Sequence, residues 1–278
     1  MKQLKAIIAV LLMACMVLLA ACGGGKDSGD SGNKETAAEN KGESAGEAAG
    51  ETQAEKAPSG SIDKSRTINI ANSTLVDTFY TPKEFGIAEG ISYAQVYDTL
   101  LSLEADGSIG PSLAETWEVS DDGLVYTFHL RKDVTFHNGE KLTADDVVYT
   151  VDRMMNPDTA ARNTDVYSMI KGANARLNGE ADSVEGVVAL DEYTVEFTLD
   201  VPFGPFLANL ATPACSVYNR KATQEAGDQF GIDPELTVGT GPFKMSDWVL
   251  NDRLTMVKND DYFKGAPKLD GIEVIQVP

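Results

Sequence analysis

The chain has 278 residues and a formal net charge of −20, with 43 acidic against 23 basic side chains. That length can bury a real core, in one large domain or two small ones. The charge argues against nucleic acid, whose affinity rests on Lys and Arg neutralising phosphate, and against adhesion to anionic lipid; it suits the solubilising surface of an exported protein.

Met1–Lys5 is a short basic region and Ala6–Ala21 an apolar run. Together they predict a signal peptide over residues 1–21, too short and wrongly flanked for a stable membrane span. Leu19-Ala20-Ala21-Cys22 resembles a lipobox, which implies cleavage before Cys22 and a diacylglyceryl group on its sulfur. Two acyl chains suffice for stable tethering. Residues 22–60 then form a lipidated, disordered tether. From Gly23 to Gly60 there is no aromatic residue and no aliphatic one larger than Ala, too little apolar area to offset ordering entropy. Cys15 leaves with the signal and Cys22 takes the lipid, so Cys215 stands alone and no internal disulfide can form in the mature chain.

The folded part is expected over residues 61–278. Ile62–Ala71 alternates as a first strand, ending in the polar loop Asn72-Ser73-Thr74, and Thr78–Phe85 (TFYTPKEF) comes next as a loop. Ile87–Leu101 reads as a helix with Ile91, Ala94 and Leu101 among its buried positions. Glu104–Gly107 makes a turn. Trp117–Met155 then reads as two hairpins running into a helix: Asp122-Gly123 and Asn138-Gly139 supply the reversals, where a positive φ is cheap. Leu124, Tyr126, Phe128 and Leu130 give one apolar face, continued by Val134 and Phe136. Thr143 to Asp146 fits a capping box. Val147, Val148, Val151, Met154 and Met155 share a helical face until Asn156-Pro157 ends it.

Asn163–Ile170 is a further short helix, and Val184–Leu190 pairs with Tyr193–Leu199, placing Val195, Phe197 and Leu199 on one face. Pro205 suits the first position of a helix running to Leu210. In Val238–Phe243 (VGTGPF), Gly239 and Gly241 are expected to permit conformations that a side chain forbids. Phe243–Leu250 and Arg253–Lys258 pair across Asn251-Asp252, and Ile272–Val277 is a last apolar strand.

No residue set demands catalysis. VGTGPF lacks the Lys-Ser or Lys-Thr of a P-loop. Cys215 has no histidine near it in sequence. His129 and His137 are each one residue out of register with Phe128 and Phe136, so both are expected on a polar outer face, with no carboxylate or cysteine cluster spaced to complete a metal site. The pairs Asp121-Asp122, Asp145-Asp146 and Asp260-Asp261 are explained by turns and caps. No catalytic residue, metal or cofactor is therefore assigned.

The ordered run Leu113-Ala-Glu-Thr-Trp117, Asp121-Asp-Gly123, Tyr126–Arg131, Phe136-His-Asn-Gly139 and Leu142–Val147 resembles the family 5 extracellular solute-binding proteins, the dipeptide, oligopeptide and nickel receptors of ABC importers. Val238–Phe243 and Asn259–Pro267 are similar to two further segments of that family. The resemblance implies an α/β, class II periplasmic-binding-protein-like lobe with a mixed sheet and an α+β subdomain inserted at about 103–200. It also implies that the second lobe is absent, since Pro278 lies near where relatives cross into it. The loop after the first strand would then lie on the cleft floor, giving Asn72, Thr74, Tyr80 and Phe85 as candidate ligand-binding residues, joined by Tyr93 of the following helix, Thr212 before Cys215 and Thr240 of VGTGPF. The nickel-chelate members' arginine past the corresponding proline is replaced by Ala214.

The same resemblance implies a monomeric lipoprotein on the extracytoplasmic face of the cell membrane. It would capture a small solute, foremost a di- or oligopeptide, and pass it to ABC permease subunits. A metal-chelate receptor and a single-lobe sensor or adhesion module are the alternatives.

Overall fold

The computed structural model describes residues 66–73, 75–83 and 87–277. The signal, the lipidation position Cys22, the tether and the candidate residues Thr74 and Phe85 lie outside them. The architecture is α/β, with two four-stranded sheets and a two-stranded one.

The first large sheet runs β1 (Thr67–Asn72), β10 (Gly271–Gln276), β9 (Arg253–Lys258), β8 (Phe243–Val249). β1 pairs parallel with β10 and the other pairs are antiparallel, so the sheet is mixed. The second runs β4 (Ala114–Val119), β5 (Val125–Leu130), β7 (Thr194–Thr198), β6 (Val187–Asp191) and is antiparallel throughout. Between the two in sequence, β2 (Leu101–Leu103) and β3 (Ile109–Pro111) form a hairpin over the turn at Gly107.

The second sheet carries the alternation seen in its sequence: along β5 the even-numbered residues Tyr126, Phe128 and Leu130 are buried. Phe128 and Phe197 pack edge to face at 5.5 Å, and Phe206 of α4 (Phe206–Asn209) extends the row at 5.7 Å. This aromatic geometry adds to simple burial. Helix α2 (Ala144–Met155) covers the same core with Val147, Val151, Met154 and Met155. Its start is fixed by Asp146, whose Oδ2 accepts the Thr143 backbone N–H at 3.0 Å and the Thr143 hydroxyl at 2.9 Å. Asp146 Oδ1 accepts the Arg220 N–H at 2.8 Å, so one carboxylate holds the starts of α2 and α5 (Arg220–Ala226). A short helix, α3 (Ala173–Leu177), lies ahead of β6.

Several expectations need correction. Helix α1 (Ile87–Val96) is shorter than predicted, and Leu101 is buried in β2 rather than in a helix. Ile91 is 62% exposed and Ala94 is exposed, while Ser92, Tyr93 and Val96 face the core. The helical period was right and its phase wrong: the Tyr93 ring, packed edge to face on Phe79 at 5.5 Å, took the inner side. The Asn138-Gly139 turn forms, with Gly139 at φ +85°, but a single bridge between Thr135 and Lys141 replaces a full ladder. Within Asn163–Ile170 the expected short helix forms, as a 3-10 helix over Thr164–Tyr167, while Pro205 caps α4 rather than occupying its first turn.

Candidate functional site

The loop after β1 is bound to three other parts of the chain. Phe79 N–H reaches the Gly231 carbonyl at 2.6 Å, Arg162 N–H reaches the Pro82 carbonyl at 2.8 Å, and Asn163 Nδ2 reaches the Thr81 carbonyl at 3.3 Å. The Thr81 hydroxyl and the Tyr218 hydroxyl are hydrogen-bonded inside the core. Thr78 links two candidate residues: its hydroxyl accepts the Tyr80 N–H at 3.0 Å, and its carbonyl accepts the Tyr93 hydroxyl at 2.9 Å.

Tyr80 is 4% exposed, with its ring against Tyr218 and Phe230. Its oxygen accepts Nε of Arg153 at 2.7 Å, and Nη1 of Arg153 reaches the Tyr149 hydroxyl at 3.1 Å. The guanidinium carbon stands 5.0 Å from the Tyr80 ring centroid and 5.9 Å from that of Tyr149, within cation–π range of both. Lys83 Nζ is 6.0 Å from the Tyr80 centroid. Burial raises the pKa of both tyrosines, with Arg153 opposing, so both phenols stay neutral at physiological pH. Arg153 sits in the last turn of α2, where a cation is favoured by the helix dipole. This cluster is a hydrogen-bond donor array with a fixed positive charge.

A second polar knot lies just past α1. Asp98, 8% exposed, accepts from Thr240 Oγ1 at 3.0 Å and from the Tyr262 hydroxyl at 2.9 Å, and Lys264 Nζ is 3.4 Å away. Lys264 also donates to Ser112 Oγ at 2.9 Å. Burial raises the Asp98 pKa, opposed by the Lys264 charge and the hydrogen bonds. VGTGPF and the 259–267 segment therefore meet at one carboxylate.

Gly239 and Gly241 are not in the left-handed region, contrary to expectation. They are required by close approach: a Cβ on Gly239 would overlap the Val96 carbonyl oxygen, and one on Gly241 would overlap backbone of Gln95 and Val96. His137 is not on an outer polar face either. Its Nδ1 accepts the Gly239 N–H at 3.3 Å and its Nε2 faces the Gly241 carbonyl at 3.0 Å, which selects the Nε2–H tautomer. Burial lowers its pKa to about 4.

The remaining candidates lie apart. Asn72 ends β1, its carbonyl accepting the Val277 N–H at 2.9 Å. The Thr212 hydroxyl donates to the Asn209 carbonyl at 2.7 Å, beside the core of the second sheet. Tyr93 and Thr240 are fully buried. The structure thus brings Tyr80 and Tyr93 together through Thr78, and leaves Thr212, Thr240 and Asn72 elsewhere. Cys215 is buried, and burial pushes its thiol up to about 12, far from a thiolate nucleophile. Among the described residues no group of three or more His, Cys, Asp or Glu side chains is placed to hold a metal, and no helix is long and apolar enough to cross a membrane. Sequence reasoning missed Arg153, Tyr149 and Asp98: the i, i+4 spacing of Tyr149 and Arg153 puts them on one helical face, but nothing local signals their meeting with Tyr80 or that of Asp98 with Thr240 and Tyr262.

Residues 108–278 match the profile of bacterial extracellular solute-binding proteins, family 5 Middle. The chain is 33% identical over 244 residues to heme-binding protein A of Haemophilus influenzae, covering 79% of this chain and 44% of that relative. It is 32% identical over 222 residues to the dipeptide-binding protein DppE of Bacillus subtilis, covering 77% and 40%. Among solved structures, Listeria monocytogenes OppA bound to peptide superposes with a TM-score of 0.71 at 31% identity, covering 76% of this chain and 42% of that one. The chain spans less than half the length of these proteins.

Proposed function

Because the chain belongs to the bacterial extracellular solute-binding proteins of family 5, we propose that it is a solute-receiving lobe of an ABC importer's receptor and that the solute is a di- or oligopeptide. One observation carries this reading: the fold is shared, at 31% identity, with an OppA bound to peptide. A dipeptide-binding relative at 32% identity supports it. Peptide clefts of this kind work through backbone hydrogen bonds to an extended ligand, with permissive side-chain pockets. Such a mechanism needs no metal cluster or nucleophile.

Residues 1–21 serve as an export signal, Cys22 carries the lipid, and residues 22–60 span the distance from the membrane to the lobe. A subdomain of about 103–200 is inserted into that lobe, and the partner is the permease. No catalytic step is assigned. Membrane fractionation checks the anchor: Cys22→Ala should release the protein from membranes.

Calorimetric titration of the full chain with di- to hexapeptides, nickel–histidine and hemin tests the solute. Saturable peptide binding is expected. Saturation by hemin or nickel–histidine alone, with peptides silent, would overturn the peptide assignment.

A further inference from the structure

Four arginines among the described residues are partly buried: Arg131, Arg153, Arg176 and Arg253. Arg131 pairs with Asp133 and Glu115, Arg176 with Asp152, and Arg253 with Asp247 and Asp252. Arg153 has no carboxylate within ion-pair distance among the described residues; its partners are two neutral phenols. The contrast stands out in a chain where acids outnumber bases 43 to 23.

The nearest carboxylates on the same helix are already engaged. Asp152 accepts from Arg176 and from the Val184 N–H, and Asp146 from Thr143 and the Arg220 N–H.

A guanidinium has five N–H groups. Two are used here, and both acceptors are tyrosine oxygens whose own protons must point elsewhere. The Tyr80 side chain is buried, so the donors left for a ligand belong to Arg153 and Tyr149, with the Lys83 ammonium 6.0 Å from the Tyr80 ring centroid. Nη2 makes no hydrogen bond among the described residues and is not one of their buried unpartnered atoms, so this end of the fork reaches the surface. Tyr80 fixes the guanidinium from the core side and the helix dipole supports the charge, but neither supplies a carboxylate. A planar fork with free N–H groups matches a carboxylate, which two parallel hydrogen bonds can hold.

We propose that Arg153, held between Tyr80 and Tyr149, is the contact point for a carboxylate of the bound solute. The inference rests on the solute-receptor reading and names the ligand chemistry that this wall selects. A peptide brings such a group at its carboxyl terminus or on an acidic side chain.

Two readouts on the full chain separate this site from the wider reading. In the first, the Arg153 Nε–H resonance is followed by NMR during titration with acetate and, as a neutral isostere, acetamide. A saturable shift with acetate and none with acetamide is expected; no shift, or the same shift with both, overturns the site. In the second, calorimetry compares tetra-alanine free acid, its carboxyl-terminal amide, and the amide of Ala-Glu-Ala-Ala. The free acid should bind tenfold or more tighter than its amide if the terminus is the source, and the Glu-containing amide should recover the loss if a side chain is.

Arg153→Gln should erase that preference, bringing the free acid and the amide to the same affinity, and Arg153→Lys should retain part of it. Equal loss for acid and amide in Arg153→Gln would mean a purely structural arginine and would sink the proposal. If acetate shifts Arg153 yet no peptide binds, the anion site stands and the peptide reading falls. If peptides bind without acid preference and Arg153 stays unmoved, the reading stands and the site falls.

Discussion

The sheet β4–β5–β7–β6 is two local hairpins, each closing over a few residues, joined where β5 pairs with β7, and α2 lies between them in sequence to cover the inner face. The sheet β1–β10–β9–β8 instead sets Thr67 beside Gly271 in register, joining opposite ends of the described chain. Loop-closure entropy makes such pairing costly before it is rewarded. β1 is also exposed on both faces, with Ile68 at 46%. That region has its own apolar core, including Phe79, Tyr93, Leu254 and Met256, and polar and steric contacts add to it: the Asp98 knot, the His137 grip on VGTGPF, and two glycines pressed against the end of α1. Local hairpins supply most of one sheet, and a few specific contacts tie the other to it.

Phe197→Ala strikes the core under the hairpin sheet and should cost the most, about 3–5 kcal/mol, because a fully buried ring in an edge-to-face row leaves a cavity. Urea denaturation measures it. A loss under about 1 kcal/mol would mean that this core is loosely packed, against the burial values.

His137 tests the tie between the regions through pH. Its folded pKa of about 4 lies below the unfolded 6.5, so between those values the unfolded chain binds a proton that the native one refuses. Stability from this group is present above pH 6.5 and lost as the pH falls toward 4, by about 3 kcal/mol in all. His137→Gln should flatten that part of the stability–pH curve. An unchanged slope would show that the imidazole is not gripped as described.

Gly239→Ala should destabilise by about 2–3 kcal/mol, at the upper end for overpacking, since the obstructing group is a backbone carbonyl that cannot rotate away. The smallest effect belongs to a cap. Thr143→Ala removes one hydroxyl from Asp146 but keeps the backbone hydrogen bond, so about 1 kcal/mol is expected in the same denaturation assay.

The same contrast explains what was legible beforehand. The Asp122-Gly123 turn, the Tyr126–Leu130 alternation, the Thr143–Asp146 cap and the Val195–Leu199 face all depend on residues close in sequence, and each formed as expected. The phase of α1 did not, because the pattern of Ile91 and Ala94 carried no trace of Phe79 waiting for Tyr93. The glycines of VGTGPF were seen as special for the wrong reason, since close approach to Val96 is a tertiary fact. His137 was misplaced because one-residue alternation fails at an irregular hairpin end. Of the candidate wall, Tyr80 was visible by resemblance, whereas Arg153 lies 73 positions away and only folding brings it to the phenol.

The central claim is that solute lies against the 78–83 loop and its Arg153 neighbour. Hydrogen exchange of the full chain, with and without saturating tetra-alanine, tests it most directly. The account predicts slowed amide exchange across Thr78–Lys83 and the adjoining Arg162–Asn163 segment, with the outer strands of the second sheet unchanged. Protection confined to those outer strands, with the loop exchanging at its free rate, would contradict it.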